Sequence, residues 1–331
     1  MAEYAASADA AAADLPHNGA VEPTASLPPS ARLHLGLDLG GTNVKAAVLA
    51  GEGPDLQVLE TLHAPTSRDG SRAVVEGMIE LGRQAIARTG PVATIGVGVP
   101  GVYERETGIV RFLTNVPGDW DGVQVGGPIG RALGAPVDMV NDARAFALAE
   151  SRLGAGRDAD TMVGVTLGTG MGGGIVIAGR LHEGLAGSAG EIGHVVVDPA
   201  GPPCGCGSNG CAEAYVSARA FAESAGRDDP GEVFVAAAAG DRDALAAVDR
   251  FAGYLGLALG SVVVTLAPDR IVVGGGVAQA GELLFGPLRT AIRARVRNLV
   301  PVDRIAIVPA ELGPNAGAIG AALRGLDALP S

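Results

Sequence analysis

The stretch "DLGGTNVKAAVLAG" (38–51) decides the fold of this 331-residue chain. An apolar run, "LHLGLDL" (33–39), ends on an acid, two glycines follow, and an alternating run, "VKAAVLA" (44–50), returns. The pattern predicts a strand, a tight turn and an antiparallel strand. Gly40 and Gly41 carry no Cβ, so backbone N–H groups there can approach phosphate oxygens, with Thr42 and Asn43 as further donors. An ordinary hairpin would use the same glycines only to turn. Lys45 tilts the choice toward phosphate, because it is the only lysine beside 23 arginines and it stands next to the turn. Asp38, at the strand end, could hold a Mg²⁺ ion against those phosphates, or could simply hydrogen-bond the turn.

The second half repeats the pattern. "TLGTGMGGGIVIAG" (166–179) laid on 38–51 matches at Leu39/Leu167, Gly40/Gly168, Val48/Val176, Ala50/Ala178 and Gly51/Gly179. Thr169 and Gly170 complete this second turn. A third, "VVGGGVA" (272–278), offers Gly274, Gly275 and Gly276 as bare backbone for a purine and ribose. Further strands are expected at 57–64, 92–99, 108–114, 136–142, 160–168, 172–179, 270–276 and 304–310. Helices are expected at 69–89, about 125–133, between 211 and 266, 281–298 and 315–325. The chain is therefore an α/β protein of two similar halves. Paired hairpins of this kind, facing across a cleft, are how actin-like phosphotransferases hold a nucleotide's phosphates. No G-x-x-x-x-G-K-[ST] occurs, which excludes a P-loop. "GVGVPG" (96–101) has dinucleotide-fingerprint spacing, but Pro100 and the strand-like "GIVRF" after it deny the helix that would receive a pyrophosphate.

Composition agrees. Apolar residues are 47%, aromatics 3%, and there are 52 glycines, which describes two ordinary domains with cores of small aliphatic side chains. The net charge of −12 speaks against nucleic-acid or anionic-membrane partners, which need clustered cations. No apolar run of membrane-spanning length escapes interruption by glycine or charge, and no basic region precedes an apolar one, so a cytoplasmic location is expected. Residues 1–31, rich in Ala, Ser and Pro and lacking Lys and Arg, read as a disordered tail.

"EIGHVVVDPAGPPCGCGSNGC" (191–211) holds all three cysteines. Three cannot close a disulfide framework. Cys204, Cys206 and Cys211 with His194 make a Cys₃His set suited to tetrahedral Zn²⁺, and four protein ligands mark such a metal as structural. The alternative is three unconnected reduced thiols. Glu191 and Glu213 would then be held near the loop, or are a solvated acid and a helix-start acid. "NDARAFALAE" (141–150) ends a strand and opens a helix. Asp142 either caps that helix or, at the carboxyl edge of a sheet, accepts a hydroxyl proton in phosphoryl transfer.

Taken in order, "LDLGGTNVKAAVL", "GVGVPG", "TNVPGDW", "NDARAFALAE", "GTGMGGGIV", "AGEIGH", "CGCGSNGC" and "VVGGGVA" resemble the ROK family (repressors, ORFs and kinases), and within it the zinc-containing glucokinase type. The resemblance runs from about Arg32 to Leu326. It implies a two-domain actin-like ATPase (ribonuclease H-like) fold with an interdomain cleft. The smaller domain would be 32–141 plus 313–331, and the larger, with the zinc loop, 142–312. It implies ATP-dependent phosphorylation of glucose to glucose 6-phosphate with Asp142 as general base. Asn115, Asn141, Asp142, Glu191, His194 and Glu213 match hexose-binding positions, and Gly40, Gly41, Thr42, Thr169 and Gly170 match phosphate-loop positions. His194 would serve both ion and sugar. A homodimer or homotetramer is implied as well.

Two residues depart from the family pattern. Arg144 replaces a small or amide residue, and Asp119 lengthens an "NLPGW"-like segment; both leave the hexose open. N-acetylmannosamine, N-acetylglucosamine, mannose and fructose are the alternative substrates. A sugar-sensing transcriptional regulator is disfavoured, because only a short unbasic tail precedes the first strand.

Overall fold

A computed structural model describes residues 31–113 and 115–329; the tail expected at 1–31 lies, but for its last residue, outside them. The first half runs β1 (Leu33–Leu39), β2 (Asn43–Ala50), β3 (Gln57–Pro65), α1 (Ser71–Thr89) and β4 (Thr94–Val99). A small antiparallel sheet of β5 (Gly101–Glu104), β6 (Ile109–Leu113) and β7 (Val123–Gln124) leads to α2 (Gly126–Leu133), β8 (Val137–Asn141) and α3 (Asp142–Leu153). The second half runs β9 (Thr161–Leu167), β10 (Met171–Ile177), β11 (Arg180–Leu181), α4 (Glu213–Val216), α5 (Ala218–Ser224) and α6 (Pro230–Ala238). It closes with α7 (Arg242–Leu266), β12 (Arg270–Gly274), α8 (Glu282–Val296), β13 (Ala306–Pro309) and α9 (Ala316–Asp327). Strands β5, β7 and β11 are absent from the expected set, each being too short to show a period of two.

The repeat seen in the sequence is a repeat of topology. One sheet has the order β3-β2-β1-β4-β8 and the other β11-β10-β9-β12-β13, so each is a three-stranded meander extended by two parallel strands. The registers agree too. Asp38 on β1 lies opposite Gly98 on β4, and Thr166 on β9 lies opposite Gly274 on β12. Asp38 and Thr166 are the residues that the 38–51 and 166–179 alignment superposes.

Strand alternation explains the layers. Leu35, Leu37 and Leu39 point from β1 into a core shared with α1 and α2, while Gly36 and Asp38 face α9. On β9, Val163, Val165 and Leu167 enter the core under α7 and α8, while Gly164 faces Ala147 of α3. The helices α3 and α9 pack on each other between the two sheets. They come close because the facing strand positions are glycine: a Cβ at Gly36 would overlap the carbonyl of Ala318, and one at Gly96 that of Ala321. A third apolar cluster fills this joint, drawing Ala47 and Leu49 from β2, Phe146 and Leu148 from α3, Val272 from β12 and Ile319 from α9.

Two further devices tie the joint. Glu150, fully buried on α3, accepts amides of Ala155 (2.9 Å), Glu311 (3.1 Å) and Leu312 (2.9 Å). Those amides belong to the two segments where the chain passes between the halves, after α3 and before α9. Arg324 of α9 lies 2.9 Å from carboxylate oxygens of Asp138 and of Glu183, an ion pair whose N–H groups are not aimed along hydrogen-bond directions. The 25-residue α7 is long and apolar enough to cross a membrane. Its apolar face, from Ala244 to Val263, is spent on the core of the second half.

Candidate active site

A cleft of about 510 Å³ opens where the two halves meet. Asp38, Gly40 and Lys45 form one wall; Thr166, Gly274, Gly275 and Gly276 form the other; Asp142, Ala143 and Phe146 of α3 close the base. Burial pushes the Asp38 carboxyl up to about 6, against the pull of Lys45. Burial first, and then the Asp38 charge, push Asp142 up to about 7. Two buried acids in one cleft, both raised toward neutrality, are poised to bind a cation or move a proton there.

Asp142 is not the helix cap. Asn141 is: its Oδ1 accepts the amides of Ala143 (3.1 Å) and Arg144 (3.4 Å). Asp142 occupies the first helical position, where its Oδ1 accepts the Ala143 amide at 2.8 Å. The cap duty that competed with a catalytic reading of Asp142 therefore falls on its neighbour, and Asn141 keeps only its side-chain NH₂ for a ligand.

The first Gly-rich turn is shaped differently from expectation. Gly41 faces Asn115, whose carbonyl fills the space a Cβ would need, so the turn and Asn115 are one unit. Asn115 itself has φ 59°, a left-handed conformation that Asn tolerates better than most residues. Thr66, buried after β3, grips the turn by donating its hydroxyl to Gly40 O (2.7 Å) and its amide to Thr42 O (2.9 Å). Nothing in the local sequence marks Thr66. Lys45 donates to the carbonyl of Pro314, at 2.7 Å, and so ties β2 to the segment before α9. Gly317, in the first turn of α9, is glycine because the Asp38 carboxylate occupies the place of its Cβ.

The other turns divide their labour. On the third, Gly274 packs on the Phe146 ring and Gly275 on the Leu167 backbone, while Gly276 is open; Gln279 joins it in the cleft wall. On the second, Gly168 is open, but Gly170 is covered by Glu213, whose Oε2 accepts the Met171 amide at 2.9 Å. Gly41, Thr42, Asn43, Gly168, Thr169 and Gly170 lie just outside the cleft wall.

His194, Cys204, Cys206 and Cys211 converge, with one ligand atom of each within 4.8 Å of the others. His194 Nδ1 is 3.6 Å from Cys204 Sγ, and the Sγ atoms of Cys206 and Cys211 are 3.6 Å apart. A tetrahedral Zn²⁺ with bonds of about 2.3 Å to sulfur needs neighbouring ligand atoms about 3.8 Å apart, so the donor set fits the ion. The knot is built by Gly207 and Gly210, with φ of 90° and 67°, and by the Cys204 amide donating to Ser208 O at 2.8 Å. His194 turns its other nitrogen, Nε2, toward Glu191 Oε2 at 3.9 Å. Cys211 is followed directly by α4, which begins at Glu213. Asp119, expected to lengthen its segment, is exposed and accepts the Asp121 amide at 3.3 Å.

With this geometry in place, the chain can be compared with known proteins. Residues 34–325 match the model of the ROK family. A glucokinase of Thermotoga maritima is 37% identical over 313 residues, covering 87% of this chain and 95% of the relative. An N-acetyl-D-glucosamine kinase of Haemophilus influenzae is 32% identical, covering 88% and 98%. Among solved structures, a ROK hexokinase from Thermus thermophilus superposes with a TM-score of 0.81 at 36% identity, covering 89% of this chain and 98% of that one. A ROK family glucokinase from Streptomyces griseus, solved with glucose and AMPPNP, gives 0.75 at 31%, covering 89% and 99%.

Proposed function

Because the chain belongs to the ROK family and has the fold of its sugar kinases, we propose that it transfers the γ-phosphoryl group of ATP to the 6-hydroxyl of glucose. The observation that carries the proposal is the shared cleft: Asp142, raised to about 7, sits among Gly-rich turns from both halves and opposite Asp38.

Asp142 Oδ2 takes the hydroxyl proton as the sugar oxygen bonds to the γ-phosphorus and the bond from that phosphorus to the bridging oxygen breaks, releasing ADP, a role that contributes about 10²–10⁴-fold. Asn141, Asn115, Glu191, His194 and Glu213 orient the sugar by its other hydroxyls. Amides of Gly41 and Thr42 on one side, and of Thr169 and Gly170 on the other, hold phosphate oxygens, while those of Gly40 and Gly168 close the turns onto Asn43 O and Gly170 O. Gly276 offers bare backbone to the base and ribose. Asp38 would hold the Mg²⁺ that accompanies ATP, an ion that would supply neutralisation of the phosphoryl charge. His194, Cys204, Cys206 and Cys211 would hold a Zn²⁺ that would supply rigidity, the imidazole then being fixed with Nε2 on the sugar side. In this reading the lobes are 32–141 plus 313–331 and 142–312, and their closure would keep water from the γ-phosphate.

A second reading, phosphorylation of N-acetylglucosamine, is favoured by the N-acetyl-D-glucosamine kinase relatives. Coupled ADP release over a panel of glucose, N-acetylglucosamine, N-acetylmannosamine, mannose and fructose decides between them. The highest kcat/KM is expected with glucose. Turnover confined to an N-acetylhexosamine would replace the first reading by the second, and no turnover with any sugar would end both.

A further inference from the structure

We infer that Arg144 is a positioning residue for the sugar: its buried guanidinium sets the Glu191 carboxylate in the orientation that receives a hexose hydroxyl. This rests on the kinase reading above.

Arg144 lies two residues after Asp142, in the first turn of α3, and is 6% exposed. Its Nε donates to the carbonyl of Ala189 at 2.7 Å, and its Nη2 donates to Glu191 Oε1, also at 2.7 Å. A buried guanidinium is stable only with such partners. Glu191, by contrast, has a half-exposed side chain, 56%, and would otherwise be free to rotate in water. The arginine takes one of its oxygens and leaves Oε2, which faces His194 Nε2. An ionised carboxylate accepts and cannot donate, so what is presented there is an acceptor for a sugar O–H.

The loop that carries Glu191 is held at its other end too. The Ala189 amide donates to Glu183 O at 2.9 Å, and the Glu183 carboxylate meets Arg105 at 3.2 Å and Arg324 at 2.9 Å. Three arginines outside the loop therefore fix residues 183–191. The one nearest the sugar side comes from the helix that bears Asp142, so the base and the hydroxyl acceptor share one rigid support. Surface pairs add little to stability; this one, with its cation buried and two charge-assisted bonds, restricts geometry.

The test compares wild type, Arg144→Met, Arg144→Lys, Glu191→Ala and the doubles with Glu191→Ala, by turnover and by calorimetric titration with glucose. Arg144→Met is expected to raise the hexose KM and Kd about tenfold or more, with the larger share of the loss in these and not in kcat or the KM for ATP. Arg144→Lys should recover part of it. The double variant should bind glucose no more weakly than Glu191→Ala alone, because the arginine acts through that carboxylate. Additive losses, or an unchanged hexose KM, in an active enzyme overturn the inference alone. If thermal unfolding shows that the Met variant does not fold, the Lys variant taken through the same cycle decides the matter. A wild type that neither binds nor phosphorylates any hexose overturns the kinase reading and this inference with it.

Discussion

Burial and the Asp38 charge raise Asp142 to about 7, and activity and stability should respond to that in opposite senses. A general base works deprotonated, so kcat/KM should fall about tenfold for each pH unit below about 7, and Asp142→Asn should lose at least about 10²-fold in kcat while still binding sugar. For stability, a carboxyl whose folded pKa lies above its ordinary 3.8 favours the fold fully below 3.8. That contribution is lost as pH rises through about 7. At about 1.4 kcal/mol for each tenfold in proton affinity, the ionised form costs up to about 4 kcal/mol above neutrality. Asp142→Asn should therefore resist urea better than the native chain at pH 8 and no better at pH 3.5. A variant equally stable at both would show that the site is wetter than its geometry. The sequence left Asp142 divided between cap and base, since both need an acid at a strand end before a helix. Only the Asn141 bonds separate them. Arg144 was visible as an oddity, but its partners, 45 and 47 residues away, leave no local pattern.

Among the elements, the metal loop was the most legible, because Cys-x-Cys-x4-Cys is a spacing with few other uses. Purified protein is expected to carry about one zinc per chain. Cys206→Ser should lower metal content and also weaken hexose binding roughly tenfold, though the sulfur reaches no sugar, because His194 is then free to turn. Metal loss with undiminished sugar affinity would separate the clip from the pocket. The helix pair between the sheets was legible only in outline. "AGAIGAALRGLD" (316–327) has so few large side chains that its pattern does not say which face is buried, and Gly36 and Gly96 look like ordinary strand glycines. Their role is to admit the α9 backbone. Gly96→Ala should cost about 3 kcal/mol or more in urea unfolding, since the new methyl meets the carbonyl of Ala321 and no side chain can yield. Gly53→Ala, open on every side within 4 Å but at φ 59°, provides a control for the backbone cost alone.

At the scale of the molecule, the two halves share one order of strands and one register of cleft residues, and the weak alignment of their hairpins foretold this because turn glycines and strand lengths are constrained where side chains are not. What the alignment does not foretell is how firmly the halves are joined. The joint has its own apolar cluster and the buried carboxylate of Glu150, which receives amides from both chain crossings. Lobes held in this way should unfold together. Trp120, the only tryptophan, is buried in the core of the first half, so its fluorescence reports that half while far-UV circular dichroism reports both. In urea the two curves should coincide. Glu150→Ala leaves the buried Ala155 amide and the part-buried amides of Glu311 and Leu312 without this acceptor and should lower stability by about 2 kcal/mol or more, moving both curves by the same amount. A dichroism curve with two phases, the tryptophan following only one, would show that the halves fold independently and that the cleft between them is set by ligand and not by the joint.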